Sequence, residues 1–307
     1  MPEVVVAIPT YRRPASLARL LKALETLETS LRLVVVVADN DAKDRAGYDV
    51  CRAMCANYRW PLDPIVAEER GIAQVRNALV ARALSYPQAG FVAMLDDDEW
   101  PSPRWLHELL RVQAATGADV VEGSIHFESN AGRPWGDGFD GVSSIRRPNG
   151  PTGMLEGAGN ILMTRACLTR LGAPWFDTAF ALTGGEYRDF FERVKLSGGR
   201  FAWADEGLAY TTVPDVRQKL DWVLRRAYGI GNTEMRIFLK YRPSGMARLR
   251  ECAKIASALL LTPLLALILA AAPCRAADAL RRFFRNVGKL SALMGLKYNA
   301  YAVTHGE

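Results

Sequence analysis

An α/β fold is predicted: a mostly parallel sheet flanked by helices, followed by a C-terminal helical region that associates with a membrane. Three observations carry it. Short apolar runs end repeatedly in polar turns and lead into segments of helical periodicity, the pattern of right-handed β-α-β units. These runs deliver their polar residues to one edge, and in an open parallel sheet ligands bind at the carboxyl ends of the strands. Near the end, residues 255 to 274 form a stretch of 20 without a charge, close to the ~20 apolar residues that span a bilayer.

The elements follow in order. Val4 to Ile8 is a continuous apolar run, as expected of a strand buried on both faces. It stops at Pro9-Thr10-Tyr11-Arg12-Arg13-Pro14, after which Leu17, Leu20, Leu21 and Leu24 fall at helical spacing. Leu33 to Ala38 is a second strand, ending in Asp39-Asn40-Asp41. A weaker one, Pro64 to Ala67, leads to Glu68-Glu69-Arg70-Gly71 and a helix holding Arg76 and Asn77. Phe91 to Leu95 is the fourth, and it stops at Asp96-Asp97-Asp98-Glu99. A helix with Trp105, Leu106, Leu109, Leu110 and Val112 precedes another strand in Ala118 to Gly123. From Glu128 to Gly153 the chain is rich in Gly, Pro, Asn and Ser, a loop long enough to be functional or disordered. Glu156 to Asn160 then opens a short strand, Ile161 to Met163, and the pair Gly184-Gly185 starts a helix at Glu186.

The acidic run is the most informative stretch. Three adjacent aspartates repel one another unless a cation or a strong donor sits between them. Their hard oxygens suit Mg2+ or Mn2+ carrying a substrate diphosphate. Taken alone, the run reads equally well as a solvated helix start, because Pro101 and Pro103 follow at once. No Gly-x-Gly-x-x-Gly follows the first strand and no P-loop signature occurs. Carboxylates holding a metal are the natural substitute for a glycine cradle, and nucleotide-sugar chemistry fits that arrangement.

Ala7-Ile8-Pro9-Thr10-Tyr11-Arg12-Arg13, Val37-Ala38-Asp39-Asn40-Asp41, Gly71-Ile72-Ala73-Gln74-Val75-Arg76-Asn77 and Leu95-Asp96-Asp97-Asp98-Glu99 stand in series. In that order they resemble family 2 glycosyltransferases, with closer similarity to the bacterial exopolysaccharide, succinoglycan-type glucosyltransferases. The resemblance covers roughly residues 3 to 240, and four motifs in order are far more specific than any one of them. It implies the GT-A fold and inverting transfer from a nucleotide-diphosphate sugar with Mn2+ or Mg2+. It also implies roles: Pro9, Thr10, Tyr11 and Asp39 on the nucleoside, Asp39 at the base edge, and Arg76 nearby. Asp96 and Asp97 meet ribose and diphosphate, and Asp98 holds the metal. On the residues alone, Asp96 and Asp98 alternate and so both face a cation.

Inverting transfer also needs a base for the acceptor hydroxyl. The resembled pattern is Gly-Gly-Glu-Asp, with the aspartate as base, and this chain has Tyr187 there. A phenol with a pKa near 10 is a poor base at neutral pH. Tyr210 likewise stands where relatives carry a histidine able to join the metal shell. Glu186 and Asp189, three apart on one helix face, are the candidate replacements, with Asp189 favoured. A catalytically impaired relative that binds nucleotide sugar or a partner enzyme is the alternative. Trp135 and Trp175 are candidates to stack on sugar, against the commoner role of plain core.

The predicted organisation is a glycosyltransferase domain over 1–240, its nucleotide-sugar half 1–100 and acceptor half 101–240, then a helical region over 241–307. From Asp215 onward there are 16 Lys/Arg against 6 Asp/Glu, while the remainder is slightly acidic. No nucleic-acid reader motif accompanies that basic tail, so a membrane surface met through residues 255–290 is the better reading. Pro263 is expected to break the uncharged stretch, giving a re-entrant or interfacial hairpin with basic flanks. A pair of helices buried in the domain is the duller alternative. Five cysteines and an apolar strand at the N-terminus argue against a signal peptide and a secreted disulfide protein. Cys51 and Cys55 are read as buried thiols, since nothing completes a zinc site. The resemblance further implies a polyprenyl-linked saccharide acceptor at the cytoplasmic face of the bacterial inner membrane.

Overall fold

The structure, a computed structural model, describes residues 3–128 and 146–300. Strands β1 (Val4–Thr10), β2 (Leu33–Asp39), β3 (Leu62–Val66) and β4 (Phe91–Leu95) alternate with helices α1 (Pro14–Leu24), α2 (Ala46–Met54) and α3 (Ile72–Leu84). They pair in parallel in the order β3-β2-β1-β4, and the register sets Thr10 beside Asp39 and Asp39 beside Val66. The polar ends of the first strands therefore lie at one edge, as the sequence predicts. β3 is the outer strand, where Pro64 costs no interior ladder bond.

The second half of the sheet is mixed. It comprises β5 (Glu99–Pro101), α4 (Trp105–Thr116), β6 (Val120–Glu128), β7 (Gly150–Thr152), β8 (Asn160–Thr164), α5 (Arg165–Leu171), α6 (Glu186–Leu196) and β9 (Phe201–Thr212). β8 runs antiparallel to both β4 and β6, β9 runs parallel to β6, and β5 and β7 add antiparallel to β9. Strand alternation separates two cores. Val5, Ala7, Val34 and Val36 pack toward α3 and α6; Val4, Val6, Ile8, Val35 and Val37 pack toward α1 and α4. Trp175 belongs to the first core, its indole N–H donating to Leu168 O at 2.8 Å, so it does not meet a sugar. Trp135 lies outside the described residues. Cys51 is buried as expected, whereas Cys55 is exposed.

Three helices close the chain: α7 (Leu220–Lys240), α8 (Gly245–Ile268) and α9 (Pro273–Leu293). α7 falls in the predicted acceptor half, yet it packs closely along α9 and so belongs equally to the C-terminal region. Glycines permit that approach: a Cβ on Gly231 would sit 1.8 Å from Arg285 O, and one on Gly288 2.0 Å from Tyr228 O. The break expected at Pro263 does not occur there. α8 runs on through the proline, which removes one backbone donor without ending the helix, and the turn comes at residues 269–272 before Pro273. The uncharged stretch thus forms most of one helix and a turn. Its apolar window is only 6% buried, which sets aside a buried helix pair.

Candidate active site

The shared strand edge opens into a cleft of about 570 Å³. Pro9, Thr10 and Tyr11 line it from the end of β1, Arg76 from α3, and Asp96, Asp97 and Asp98 from the end of β4. Asp97 is the buried pivot. Thr10 Oγ1 donates to its Oδ2 at 2.9 Å, and Arg13 donates to its Oδ1 at 3.0 Å. Burial nevertheless pushes its carboxyl up to about 7, against the pull of Arg13.

Asp96 and Asp98 keep part of their surface toward the cleft. Arg76 donates to Asp96 Oδ1 at 2.9 Å. Asp98 Oδ2 draws Arg13 at 2.9 Å and Arg217 at 3.9 Å. Below them Glu99 is buried, and its carboxyl is held well above the usual range by burial and by Asp96 and Asp98. Glu99 Oε2 has no hydrogen-bond partner among the described residues. Among those residues no three His, Cys, Asp or Glu groups gather to hold a metal alone. Two carboxylates plus phosphate oxygens are nonetheless a sufficient donor set for Mg2+ or Mn2+. Guanidinium groups drawn to Asp98 Oδ2 mark where positive charge is favoured, so the residues fit a divalent cation.

Asp39 is not on the cleft wall. It is buried beneath, its Oδ1 accepting from Asp41 N at 2.9 Å and its Oδ2 from Tyr48 N at 3.0 Å. The neighbouring Asn40 lines the cleft instead, its amide tying Gly71 N, Ala67 O and Glu69 O together. That staple joins the second and third motifs, and nothing in either motif alone shows it.

Gly185 caps the start of α6 with φ 90°, and a Cβ there would lie 1.9 Å from Thr233 Cγ2. The glycine therefore lets α7 close over the start of α6. Glu186 follows at the cleft wall, 3% exposed and 3.5 Å from Arg76. Burial raises its carboxyl above the usual range, and its Oε2 lacks a hydrogen-bond partner among the described residues.

Asp189, favoured from the sequence, does not line the cleft. It is fully buried, with Lys240 Nζ at 2.5 Å and the Tyr241 hydroxyl donating at 2.8 Å. One helix face was too coarse a criterion: the cation that claims Asp189 lies at the end of α7, 51 residues away. Tyr187 does line the cleft. Tyr210 does not; it stacks on Trp100 and meets His126 edge-on, while Thr211 turns inward to donate to Asp98 O at 2.9 Å. Strand alternation thus moves the inward position one residue on from the expected one. Glu122 at the cleft wall escaped sequence reading. It accepts from Glu156 N at 2.6 Å and Gly157 N at 2.9 Å, and burial pushes it up to about 8.

Residues 5–167 match the sequence model of glycosyl transferase family 2. The chain belongs to that family. It is 32% identical over 318 aligned positions to the succinoglycan biosynthesis protein ExoM of Rhizobium meliloti, covering 97% of this chain and 96% of that protein. Two solved structures share its GT-A fold. The mannosyltransferase PcManGT from Pyrobaculum calidifontis, in complex with GDP-Man and Mn2+, superposes with a TM-score of 0.63 at 18% identity, over 96% of this chain and 88% of that one. S. aureus TarS 1–349 in complex with UDP does so with 0.54 at 16% identity, over 99% and 95%.

Proposed function

We propose that this family 2 glycosyltransferase moves a sugar, with inversion, from a nucleotide-diphosphate sugar to a saccharide carried on a polyprenyl diphosphate. The observation that carries the reading is the convergence of Thr10, Arg76, Asp96, Asp97 and Asp98 in one cleft with Glu186, 3.5 Å from Arg76. The names of the relatives agree with it: ExoM in succinoglycan biosynthesis, and fold neighbours bound to UDP or GDP-Man.

In this reading Pro9, Thr10 and Tyr11 seat the nucleoside. Asp39 sits under it, each carboxylate oxygen retaining a lone pair beyond its backbone bond. Asp97, locked by Thr10 and Arg13, holds the rim on which the ribose rests. Asp96 and Asp98 would hold Mn2+ or Mg2+, which neutralises the charge that develops on the leaving diphosphate. Arg76 orients Asp96 and faces Glu186. Glu186 takes the proton of the acceptor hydroxyl: it lines the cleft, and burial raises its carboxyl and so its basicity above that of an exposed glutamate. Asp189 is a structural anchor rather than the base.

The enzyme works at the cytoplasmic face of the membrane, resting on α8. Leu260, Leu264, Leu267 and Ile268 are exposed there, bracketed by Arg248, Arg250, Lys254, Arg275 and Arg282. Anionic headgroups attract each such cation by roughly 1 kcal/mol.

Tyr187 on the cleft wall favours a second reading, an impaired relative. One experiment separates the two: transfer and donor hydrolysis measured across a panel of nucleotide sugars, with and without Mn2+, for the wild type and Tyr187→Asp. Metal-dependent turnover by the wild type is expected. Turnover appearing only in Tyr187→Asp would establish the impaired relative.

A further inference from the structure

The glycosyltransferase reading leaves one wall of the cleft without work. On α7, Trp222, Arg225, Arg226, Gly229 and Thr233 fall at spacings of three and four, so they share one helical face, and that face lines the cleft. Arg188 of α6 looks onto the same space. This wall thus carries three guanidinium groups and an indole beside the Glu234 carboxylate. Arg226 lies over the Trp222 ring at 5.2 Å. Arg225 pairs with Asp221, but both are largely exposed, and such a pair holds its partner weakly. Among the described residues Arg188 makes a long contact to Glu234, at 3.8 Å. Arg13 and Arg217 are already drawn to Asp98, and Arg217 also lies 5.9 Å from the Trp222 ring, so this face adjoins the donor site while, among the described residues, Arg225 and Arg226 stay outside its ion pairs.

The position of this wall relative to the apolar helix is informative. α9 runs alongside α7 in the same direction, since Val223 packs with Ala277 near both starts and Met235 with Ala292 near both ends. α8 runs the opposite way, because Ile255 joins the Met235–Ala292 cluster and Glu251 pairs with Lys289 at 2.7 Å. The exposed end of α8, Leu260 to Ile268, therefore lies at the same end of the three-helix unit as Trp222, Arg225 and Arg226. Apolar surface and cationic face thus lie at one end of the unit, with α9 packed against both of their helices.

We propose that Arg225 and Arg226 with Arg188, on the Trp222 face of α7, form a subsite for the phosphate groups of an amphiphilic acceptor whose apolar tail leaves along the leucines of α8. The inference rests on the transferase reading and specifies the acceptor's chemistry: an anionic diphosphate head between a saccharide in the cleft and a hydrocarbon tail outside it. Guanidinium groups suit phosphate because they offer paired donors in a plane.

The test uses the full-length protein in neutral detergent, with nucleoside diphosphate and Mn2+ filling the donor side. Farnesyl diphosphate, farnesol and inorganic pyrophosphate are titrated calorimetrically into the wild type, Arg225→Gln/Arg226→Gln and Arg225→Lys/Arg226→Lys. Farnesyl diphosphate should bind more tightly than either fragment. The glutamine pair should lose about 10- to 100-fold in that affinity, as charge-assisted bonds are removed, with partial recovery in the lysine pair and no change for nucleoside diphosphate. Equal affinity of the glutamine pair for farnesyl diphosphate would overturn the subsite. So would an equal fall in nucleoside diphosphate binding, which would give these arginines to the donor. Vesicles of neutral and of anionic lipid, compared by co-sedimentation, identify the source of the phosphate. A defect confined to anionic vesicles would make the arginines headgroup contacts and also overturn the acceptor subsite. Failure of the wild type to bind nucleoside diphosphate would instead defeat the transferase reading itself.

Discussion

The two sides of the cleft hold their carboxylates differently. On the donor side, Asp97 and Asp98 share Arg13, and Asp97 also takes Thr10, so these groups are fixed by one another and by strand ends in parallel register. On the acceptor side, Glu186 and Asp189 each keep one oxygen without a hydrogen-bond partner among the described residues, but Glu186 lines the cleft 3.5 Å from Arg76, while Asp189, one turn on, lies off the cleft with its other oxygen bound by Lys240 and Tyr241. A carboxylate paired with a cation away from the cleft is scaffold, and one on the cleft wall can reach an acceptor hydroxyl. That contrast assigns the roles, and substitutions on the two sides should separate cleanly.

The largest effect is expected at the end of β4. Asp98→Ala should abolish metal-dependent binding of nucleoside diphosphate, a loss at least on the order of 100-fold, with the fold retained because this side chain is partly exposed. Calorimetric titration with and without Mn2+ reads it directly. Undiminished, Mn2+-dependent binding by the variant would remove Asp98 from the metal.

Next comes the pair that defines the contrast. Glu186→Gln should lower transfer by roughly 100-fold while leaving donor affinity in place. Asp189→Asn should do the reverse: turnover close to wild type, but stability lower by about 1 kcal/mol, since Lys240 loses one of its two carboxylate partners and keeps Asp177. If Asp189→Asn proves the crippling change with unaltered stability, the assignment on the acceptor side is reversed.

The gathering of the four motifs at one cleft was legible in the sequence because each motif is contiguous, three of them ending a strand and the Gly71–Asn77 motif opening α3. Parallel register then brings Thr10 and Asp39 together without further information. The acceptor side is assembled from partners far apart in the chain. Lys240 and Asp189 are 51 residues apart, and Glu122 and Gly157 are 35 apart. Helical periodicity showed that Glu186 and Asp189 share a face, but not that α7 delivers a lysine to one of them. The expected break at Pro263 failed for a similar reason. Loss of a single donor within a 24-residue helix is a local cost, and the helix stops only where the 269–272 turn meets Pro273. Tyr210 was displaced by strand alternation in β9, a one-residue matter that motif alignment alone cannot resolve.

The smallest effect should come from Glu122, which sharpens the contrast because it is buried on the acceptor side yet, among the described residues, hydrogen-bonded to the backbone N–H groups of Glu156 and Gly157 and not to a cation. Burial pushes its carboxyl up to about 8, above the ordinary range for glutamate. Between that ordinary range and about pH 8 the folded protein holds this proton more tightly than the unfolded chain does. Stability from this group is therefore present at low pH, falls as pH rises through the window, and levels off above it. Glu122→Gln has no charge to bury and loses one of two acceptor oxygens, a pH-independent cost of about 1 kcal/mol. The melting temperature of the variant should lie below that of the wild type near pH 5, and the gap should narrow or change sign by about pH 9. Parallel melting curves across that range would mean that Glu122 stays ionised throughout, with the two backbone donors alone sufficient to hold its charge.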